Sequence, residues 1–472
     1  MMHYDVGLIG LAVMGQNLVL NMIDHGYSVC VYNRSREKLE KFVSQYSNSL
    51  LHGEVFIKDF ILKIKKPRKI ILMIKAGNAV DDIINQMLPF LERGDIVVDG
   101  GNSFYKDTEK RCDYLKSKEI YFLGCGISGG EEGARYGPSI MPGGDIQAWP
   151  YIKKIFLDIA AKADDGKACC EWVGEGGAGH YVKMVHNGIE YGDIQLICEA
   201  YSLMKHLLHL PNEQMSQIFS DWNTKELNSY LIEITATILR FLDKDGSYLI
   251  DNILDVAEQK GTGKWTVSSA LDLNIPISLI AESVFVRFLS NFKEDRIKAS
   301  QIFFNKGISK DTISNNFIND IFYALYAAKI MSYTQGFMLM KKASEKFFWN
   351  LNYGSIALNW RAGCIIKSAF LDKIYDAFKL NPNLNNLLMD EFFIEELKKS
   401  LISLRKVVST AALYGVSIPC FSSSLAFFDG FSTNASSSNL VQALRDYFGA
   451  HTYERIDAPR GNFFHTEWNK NN

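Results

Sequence analysis

Three observations predict the fold class of this 472-residue chain. Short apolar runs alternate with helix-like stretches at the start, and a Gly-x-Ala-x-x-Gly turn joins the first run to the first helix. From about residue 178 that alternation gives way to long helical stretches. The end of the chain is dense in aromatic and cationic side chains. Together they predict an α/β, Rossmann-like N-terminal domain (1–177), a large all-α domain (178–434) and a C-terminal tail (435–472).

Bulk properties fit that division. The chain is too long for one ordinary core, and 47% hydrophobic content excludes wholesale disorder. A net charge of −2 gives no whole-chain bias toward nucleic acid or anionic membranes, so neither is expected as a partner. The eight cysteines form no C-x-x-C pair, and the start runs straight into an apolar strand without a charged leader. That pattern reads as a reducing compartment, with the cytoplasm expected. No apolar run reaches membrane-spanning length.

In chain order, 6–9 is the first buried strand, followed by Gly10-Leu11-Ala12-Val13-Met14-Gly15. Such a turn lets a pyrophosphate approach free N–H groups at a helix start. The second strand, 28–32, ends in Asn33-Arg34-Ser35-Arg36. An NAD site would place a carboxylate there for the ribose 2′-hydroxyl, whereas two cations and two hydrogen-bonding side chains suit a 2′-phosphate. NADP is the expected cofactor. Strands at 69–75, 95–99 and 120–125 follow. Ligands in open parallel sheets bind beyond the carboxyl ends of strands, which places Ile74, Lys75, Ala76 and Asn102 beside the cofactor. Ser128-Gly129-Gly130 offers a hydroxyl and bare amides to an oxyanion.

The chemistry is expected on the stretch 179–191. Lys183, His186, Asn187 and Glu190 fall at i, i+3, i+4 and i+7 and share one helix face, with Tyr191 beside them. Val182, Val185 and Ile189 form the apolar stripe that anchors it. At ~1.5 Å rise per residue, Lys183 and Glu190 lie roughly 10 Å apart, room for a small substrate between an amine and a carboxylate. His186-x-x-x-Glu190 has no further ligand set, so no metal is expected.

Helical stretches follow at 192–208, 212–222, 225–242, 280–291, 314–351 and 391–414. Within the domain, Lys260-Gly261-Thr262-Gly263-Lys264 reads as a loop with exposed amides, and Lys260 and Thr262 supply part of a phosphate-binding set. Its spacing is not that of a P-loop. Arg287 adds a guanidinium fork. An aromatic tail that frayed would expose apolar surface, so 443–468 must pack somewhere, a second subunit included.

The ordered set GLAVMGQN, NRS, IKAG, DGGNS, GISGGEEGARYGPSIMPGG, GHYVKMVHNGIEYGD, DVAEQKGTGKWT and RDYFGAHTYER resembles the decarboxylating, NADP-dependent 6-phosphogluconate dehydrogenases over nearly the whole length. The resemblance implies oxidation and decarboxylation of 6-phosphogluconate. Lys183 and Glu190 would be catalytic. Asn102, Ser128, Gly129, Gly130, His186 and Asn187 would orient the sugar acid, and Tyr191, Lys260, Thr262 and Arg287 would hold the phosphate. It further implies a homodimer whose tails thread into the partner, with Arg445 and His451 completing the other subunit's site. Two rival readings are a β-hydroxyacid dehydrogenase for another acid and a catalytically silent NADP-binding scaffold. The joint presence of Lys183, Glu190 and the phosphate set disfavours the scaffold, and the extended helical domain with Lys260, Arg287 and Arg445 disfavours the other dehydrogenase.

Overall fold

The structure, a computed structural model, describes residues 3–259, 261–303, 313 and 316–468. Two compact units divide the chain, Met1–Ser424 and Leu425–Asn472. The sequence-based boundary at 177 falls inside the first unit, just before a 25-residue helix.

The first unit opens with an eight-stranded sheet in the order β3-β2-β1-β4-β5-β6-β7-β8. Its strands are β1 (Val6–Ile9), β2 (Val29–Tyr32), β3 (Leu51–Gly53), β4 (Lys69–Leu72), β5 (Ile96–Asp99), β6 (Tyr121–Ser128), β7 (Ser139–Gly144) and β8 (Gly174–Glu175). All neighbours pair parallel except β6 and β7. The central strands are buried on both faces, which explains why they read as continuous apolar runs rather than alternating ones. Strand order reverses between β1 and β4, the switch point where such sheets open a crevice.

The chain then enters the site helix, Ala178–Ser202. Its stripe Val182, Val185 and Ile189 is fully buried. It lies close against the sheet because glycines meet at the contact. A methyl group on Gly179 would overlap the Gly124 carbonyl oxygen and lie 2.5 Å from the Met141 carbonyl oxygen. The long helix Phe317–Phe347 packs alongside. Between them Lys329 Nζ sits 2.5 and 2.6 Å from the two Asp193 carboxylate oxygens, with both side chains almost fully buried. A buried pair of this kind tolerates loss of neither partner, because the survivor is left as an unpaired buried charge.

The helices Asn212–Trp222, Tyr230–Leu239, Ser278–Ser290 and Glu391–Tyr414 correspond to stretches expected from sequence. One expectation differs. Within the segment read as a Lys-Gly-Thr-Gly-Lys loop, Thr262, Gly263 and Lys264 instead open a helix, Thr262–Leu273, with Gly261 at its N-cap at φ +100°. Its first turn packs on the site helix, so Thr266 Oγ1 donates to the Met184 carbonyl at 2.8 Å.

In the second unit, a helix Ser438–Gly449 precedes a two-stranded clasp of β9 (Tyr453–Glu454) and β10 (Phe463–Phe464). Asp446 ties it together. Its carboxylate accepts from Thr452 N at 3.0 Å, Thr466 N at 3.0 Å and Trp468 Nε1 at 2.9 Å, and lies 2.9 Å from His465 Nδ1. No helix among the described residues is long and apolar enough to cross a membrane.

Candidate active site

The carboxyl ends of β1, β2, β4 and β5 surround a cavity of about 800 Å3. Gly10, Leu11, Ala12, Val13, Met14, Asn33, Arg34, Ser35, Ile74, Lys75 and Asn102 all line it. Gly15 stands behind the turn, where a side chain would overlap the Gly10 carbonyl, and Ala76 is not part of the lining. Gly10 holds φ at +107°, and a Cβ there would lie 2.8 Å from Ile74 Cγ2 and overlap the Met73 carbonyl. Only glycine makes this turn. Asn33 braces it, its Oδ1 accepting from Leu11 N at 3.0 Å and its Nδ2 donating to Ser35 O at 3.0 Å. Arg36 is engaged by Glu40 at 2.7 Å, whereas the exposed Arg34 has no ion-pair partner among the described residues. The first helix begins at Val13 without a side-chain cap, leaving its N–H groups open to an anion. These features fit a dinucleotide bearing a 2′-phosphate.

Beyond β6, the site helix delivers its polar face. Lys183 is only 6% exposed, its stem lying against the bare backbone of Gly126. Lys183 Nζ is 3.3 Å from His186 Nδ1, and Glu190 Oε2 is 3.8 Å from that same nitrogen. Asn187 Nδ2 donates to Glu190 Oε2 at 3.1 Å, while Asn187 Oδ1 is buried without a partner. An unsatisfied buried oxygen in a polar cleft is a binding feature awaiting a donor. Ser128 Oγ lies 3.2 Å from His186 Nε2, which brings the Ser128-Gly129-Gly130 turn to the same place.

Electrostatics divide the two ionisable groups. Burial pushes the Lys183 amine below the ordinary lysine value, against the opposing pull of Glu190 and Cys364. Burial pushes the Glu190 carboxyl above its ordinary value, although Lys183, Arg287 and Asn187 pull it back. His186 is held well below the usual imidazole value by burial and then by Lys183. Burial thus shifts the amine and the imidazole toward their neutral forms and the carboxyl toward its protonated form, which places a candidate base and a candidate acid on one helix face.

One turn further, Arg287 Cζ stacks 3.6 Å above the Tyr191 ring and Arg287 Nη1 donates to Glu258 O at 3.2 Å. Gly263 lets the Tyr191 ring approach the first turn that carries Thr262, so Tyr191, Thr262 and Arg287 converge. Lys260 lies outside the described residues. Arg445 and His451 belong to the second unit. There Arg445 Nη1 donates to Gln442 Oε1 at 3.1 Å, and His451 stacks edge-on to Phe448 at 5.9 Å between ring centroids. Among the described residues, no group of three or more His, Cys, Asp or Glu is placed to hold a metal ion.

Two family models match the chain end to end. The model described as the NAD binding domain of 6-phosphogluconate dehydrogenase matches residues 5–174, and that of the 6-phosphogluconate dehydrogenase C-terminal domain matches 179–468. The chain belongs to the 6-phosphogluconate dehydrogenase family. Curated 6-phosphogluconate dehydrogenases, decarboxylating, from Rattus norvegicus and Homo sapiens are each 55% identical, covering 99% of this chain and 97% of theirs. A solved Plasmodium falciparum 6-phosphogluconate dehydrogenase superposes with a TM-score of 0.95 at 47% identity, covering 98% of this chain and 100% of its own. That protein is described in its apo form, with its cofactor NADP+ and with its substrate 6-phosphogluconate.

The motifs did not point to every residue of this family member's site. Tyr32, Lys38 and Gln86 also line the cofactor cavity. Lys38 has a sequence signal, being a third cation just past Arg34 and Arg36 at the end of β2. Cys364, whose Sγ is 2.7 Å from His186 Nε2, has none.

Proposed function

We propose that the protein converts 6-phospho-D-gluconate and NADP+ to D-ribulose 5-phosphate, carbon dioxide and NADPH, the oxidative decarboxylation of the pentose phosphate pathway. The observation that carries this reading is the desolvated Lys183 amine facing His186 and Glu190 beside a cavity built for NADP.

Lys183, whose burial favours the neutral amine, takes the proton of the substrate C3 hydroxyl. Bound NADP+ supplies the acceptor for the hydride leaving C3. The ketone so formed is β to the carboxylate, and loss of carbon dioxide leaves an enediolate. Lys183, now an ammonium, hydrogen-bonds the developing oxyanion. Glu190, whose burial favours the protonated form, delivers its proton to the carbon that has lost carbon dioxide. Asn102, Ser128, Gly129, Gly130, His186 and the unpartnered Asn187 oxygen orient the sugar acid. Tyr191, Thr262 and Arg287 bind the distal phosphate, with Lys260 assigned to the same set.

The working form is a homodimer in the cytoplasm, in which each tail offers Arg445 and His451 to the partner's phosphate subsite. Support for exchange is the tail's exposed apolar surface, including Leu444, Tyr447 and Phe448. All eight cysteines are unpaired, which suits the reducing compartment.

The test is the absorbance of NADPH when 6-phosphogluconate and NADP+ are supplied, with released carbon dioxide measured in parallel. Turnover with 6-phosphogluconate and little with gluconate is the expected result. Absence of NADPH formation from folded, NADP-binding protein overturns the reading.

A further inference from the structure

His186 is enclosed on every side. Trp360 packs edge-on to its ring at 5.7 Å between centroids. Its Nδ1 faces Lys183 Nζ at 3.3 Å, and its Nε2 faces Cys364 Sγ at 2.7 Å and Ser128 Oγ at 3.2 Å. A neutral imidazole carries one N–H and one lone pair, so the proton on one nitrogen settles what the other must do.

Cys364 is held in place from both ends of its loop. Gly363 sits at φ +61° with its carbonyl accepting from Ser139 N at 2.8 Å, and Tyr333 Oη donates to Ile366 O at 2.7 Å. A Cβ on Gly363 would lie 2.7 Å from Ala161 Cβ, so the loop has one way through. Burial pushes the Cys364 thiol up to about 12, which keeps it an S–H donor across the working range. A thiol is a poor acceptor, so at Nε2 it acts as donor to the lone pair.

We propose that Cys364 is a positioning residue. Its S–H donates to His186 Nε2, fixes the tautomer with the proton on Nδ1, and so presents an N–H to Lys183. An N–H at that distance accommodates a neutral amine, which accepts, and opposes an ammonium, which only donates. Cys364 thereby keeps Lys183 ready as a base, while Ser128, which hydrogen-bonds the same thiol, stands beside the pair. The inference rests on the assignment of Lys183 as the base in the proposed reaction.

The other ionisable groups around the pair act in known directions. Glu190, 3.8 Å from Nδ1, also favours a proton there, but its charge pulls the Lys183 value up. Arg287 and Asp193 act on Glu190 in opposite senses. Tyr333, from the long helix, and Cys364 are both pushed up by burial and stay protonated. None of these supplies a donor to Nε2, where Ser128 is the alternative.

The experiment compares the wild-type protein with Cys364→Ala and Cys364→Ser. Without the thiol, Nε2 takes the proton and donates to Ser128 Oγ, and Nδ1 becomes an acceptor that stabilises the Lys183 ammonium. The acid limb of kcat/KM then moves up by about 0.5–1 pH unit, the effect of one hydrogen bond. KM for the substrate rises as well. Cys364→Ser keeps a donor and holds the limb at the wild-type position. Should Cys364→Ala fail to fold, Cys364→Val removes the same donor without opening a cavity.

Nitrogen-15 spectra of histidine-labelled protein read the tautomer directly, with the His186 signals identified by their loss in His186→Gln. A protonated Nδ1 in wild type and a protonated Nε2 in Cys364→Ala support the proposal. An unmoved limb in Cys364→Ala, an equal shift in Cys364→Ser, or a protonated Nε2 in wild type overturns it. If wild type does not turn over 6-phosphogluconate, the proposed reaction fails while the spectra still decide the tautomer.

Discussion

Gly126→Ala tests how closely catalysis depends on the seat of Lys183. A Cβ at Gly126 would overlap Lys183 Cβ and lie 3.0 Å from Lys183 Cγ and 3.2 Å from the Gly179 carbonyl oxygen. Carbon–carbon contact is comfortable near ~3.5–4.0 Å, so the lysine stem must withdraw by at least ~0.5–1 Å. Two of the three contacts are to the helix close to its backbone, which means that the site helix itself moves rather than a flexible side-chain end. Overpacking of this kind costs about 1–3 kcal/mol in stability. Misplacement of a catalytic group by ~1 Å lowers rate by up to ~10²-fold. The expected result is a kcat loss of roughly 10–10²-fold in the NADPH assay, with NADPH affinity by fluorescence titration near wild type. Gly430→Ala is the control, because nothing lies within 4 Å of a Cβ there. Wild-type kcat in folded Gly126→Ala would refute the claim that the bare strand backbone sets the lysine.

Lys183→Ala should lower kcat by ~10²–10⁴-fold, the usual worth of a positioned base, and the variant should lose the rise of kcat/KM with pH that titration of the lysine produces in wild type. Near-normal turnover would remove Lys183 from the mechanism. Arg34→Asp should abolish NADP use or turn preference toward NAD, since it replaces the unpaired cation at the cavity mouth by a charge that repels a 2′-phosphate. An unchanged ratio of kcat/KM for NADP and NAD would be the contrary result. Co-expression of Lys183→Ala with Arg445→Ala should restore part of the activity in mixed dimers if tails are exchanged, and no recovery in verified heterodimers would place Arg445 elsewhere. Burial raises the Glu199 carboxyl from 4.5 to about 7, even though Cys420 N and Phe421 N donate to it at 2.9 and 3.0 Å. Protonated Glu199 therefore contributes stability that is complete below the unfolded value and is lost as pH rises through about 7. Glu199→Gln should gain in melting temperature relative to wild type at pH 8 compared with pH 5, and a pH-independent difference would contradict that sign.

How much of this was legible depended on whether the signal was local. The helix Glu391–Tyr414 was readable to both ends because Asp390 accepts from Phe392 N and Phe393 N, and Gly415 closes it at φ +71°. The face of Lys183, His186, Asn187 and Glu190 was readable from period alone. By contrast, β7 was missed because Ser139-Ile140-Met141-Pro142-Gly143-Gly144 reads as a turn. Its glycines serve the close approach of the site helix, where a Cβ on Gly143 would lie 3.0 Å from Gly179 Cα. The loop reading failed at 262–264 for a related reason, since Gly261 at positive φ starts a helix as readily as it makes a turn. Cys364 was invisible because its partner is 178 residues away and nothing near it in sequence marks the contact.

The Asp446 knot bears on the thermodynamics of assembly. An arm that orders only on reaching a second surface must surrender its chain entropy at that moment, and its affinity is lowered by that amount. Here Thr452, His465, Thr466 and Trp468 converge on one carboxylate within the arm itself. Most of the ordering is therefore completed during folding of the single chain, so the proposed association would cost chiefly rigid-body freedom and a few rotamers. If the proposed tail exchange holds, a preformed arm predicts an association with little of the heat-capacity change that accompanies coupled folding.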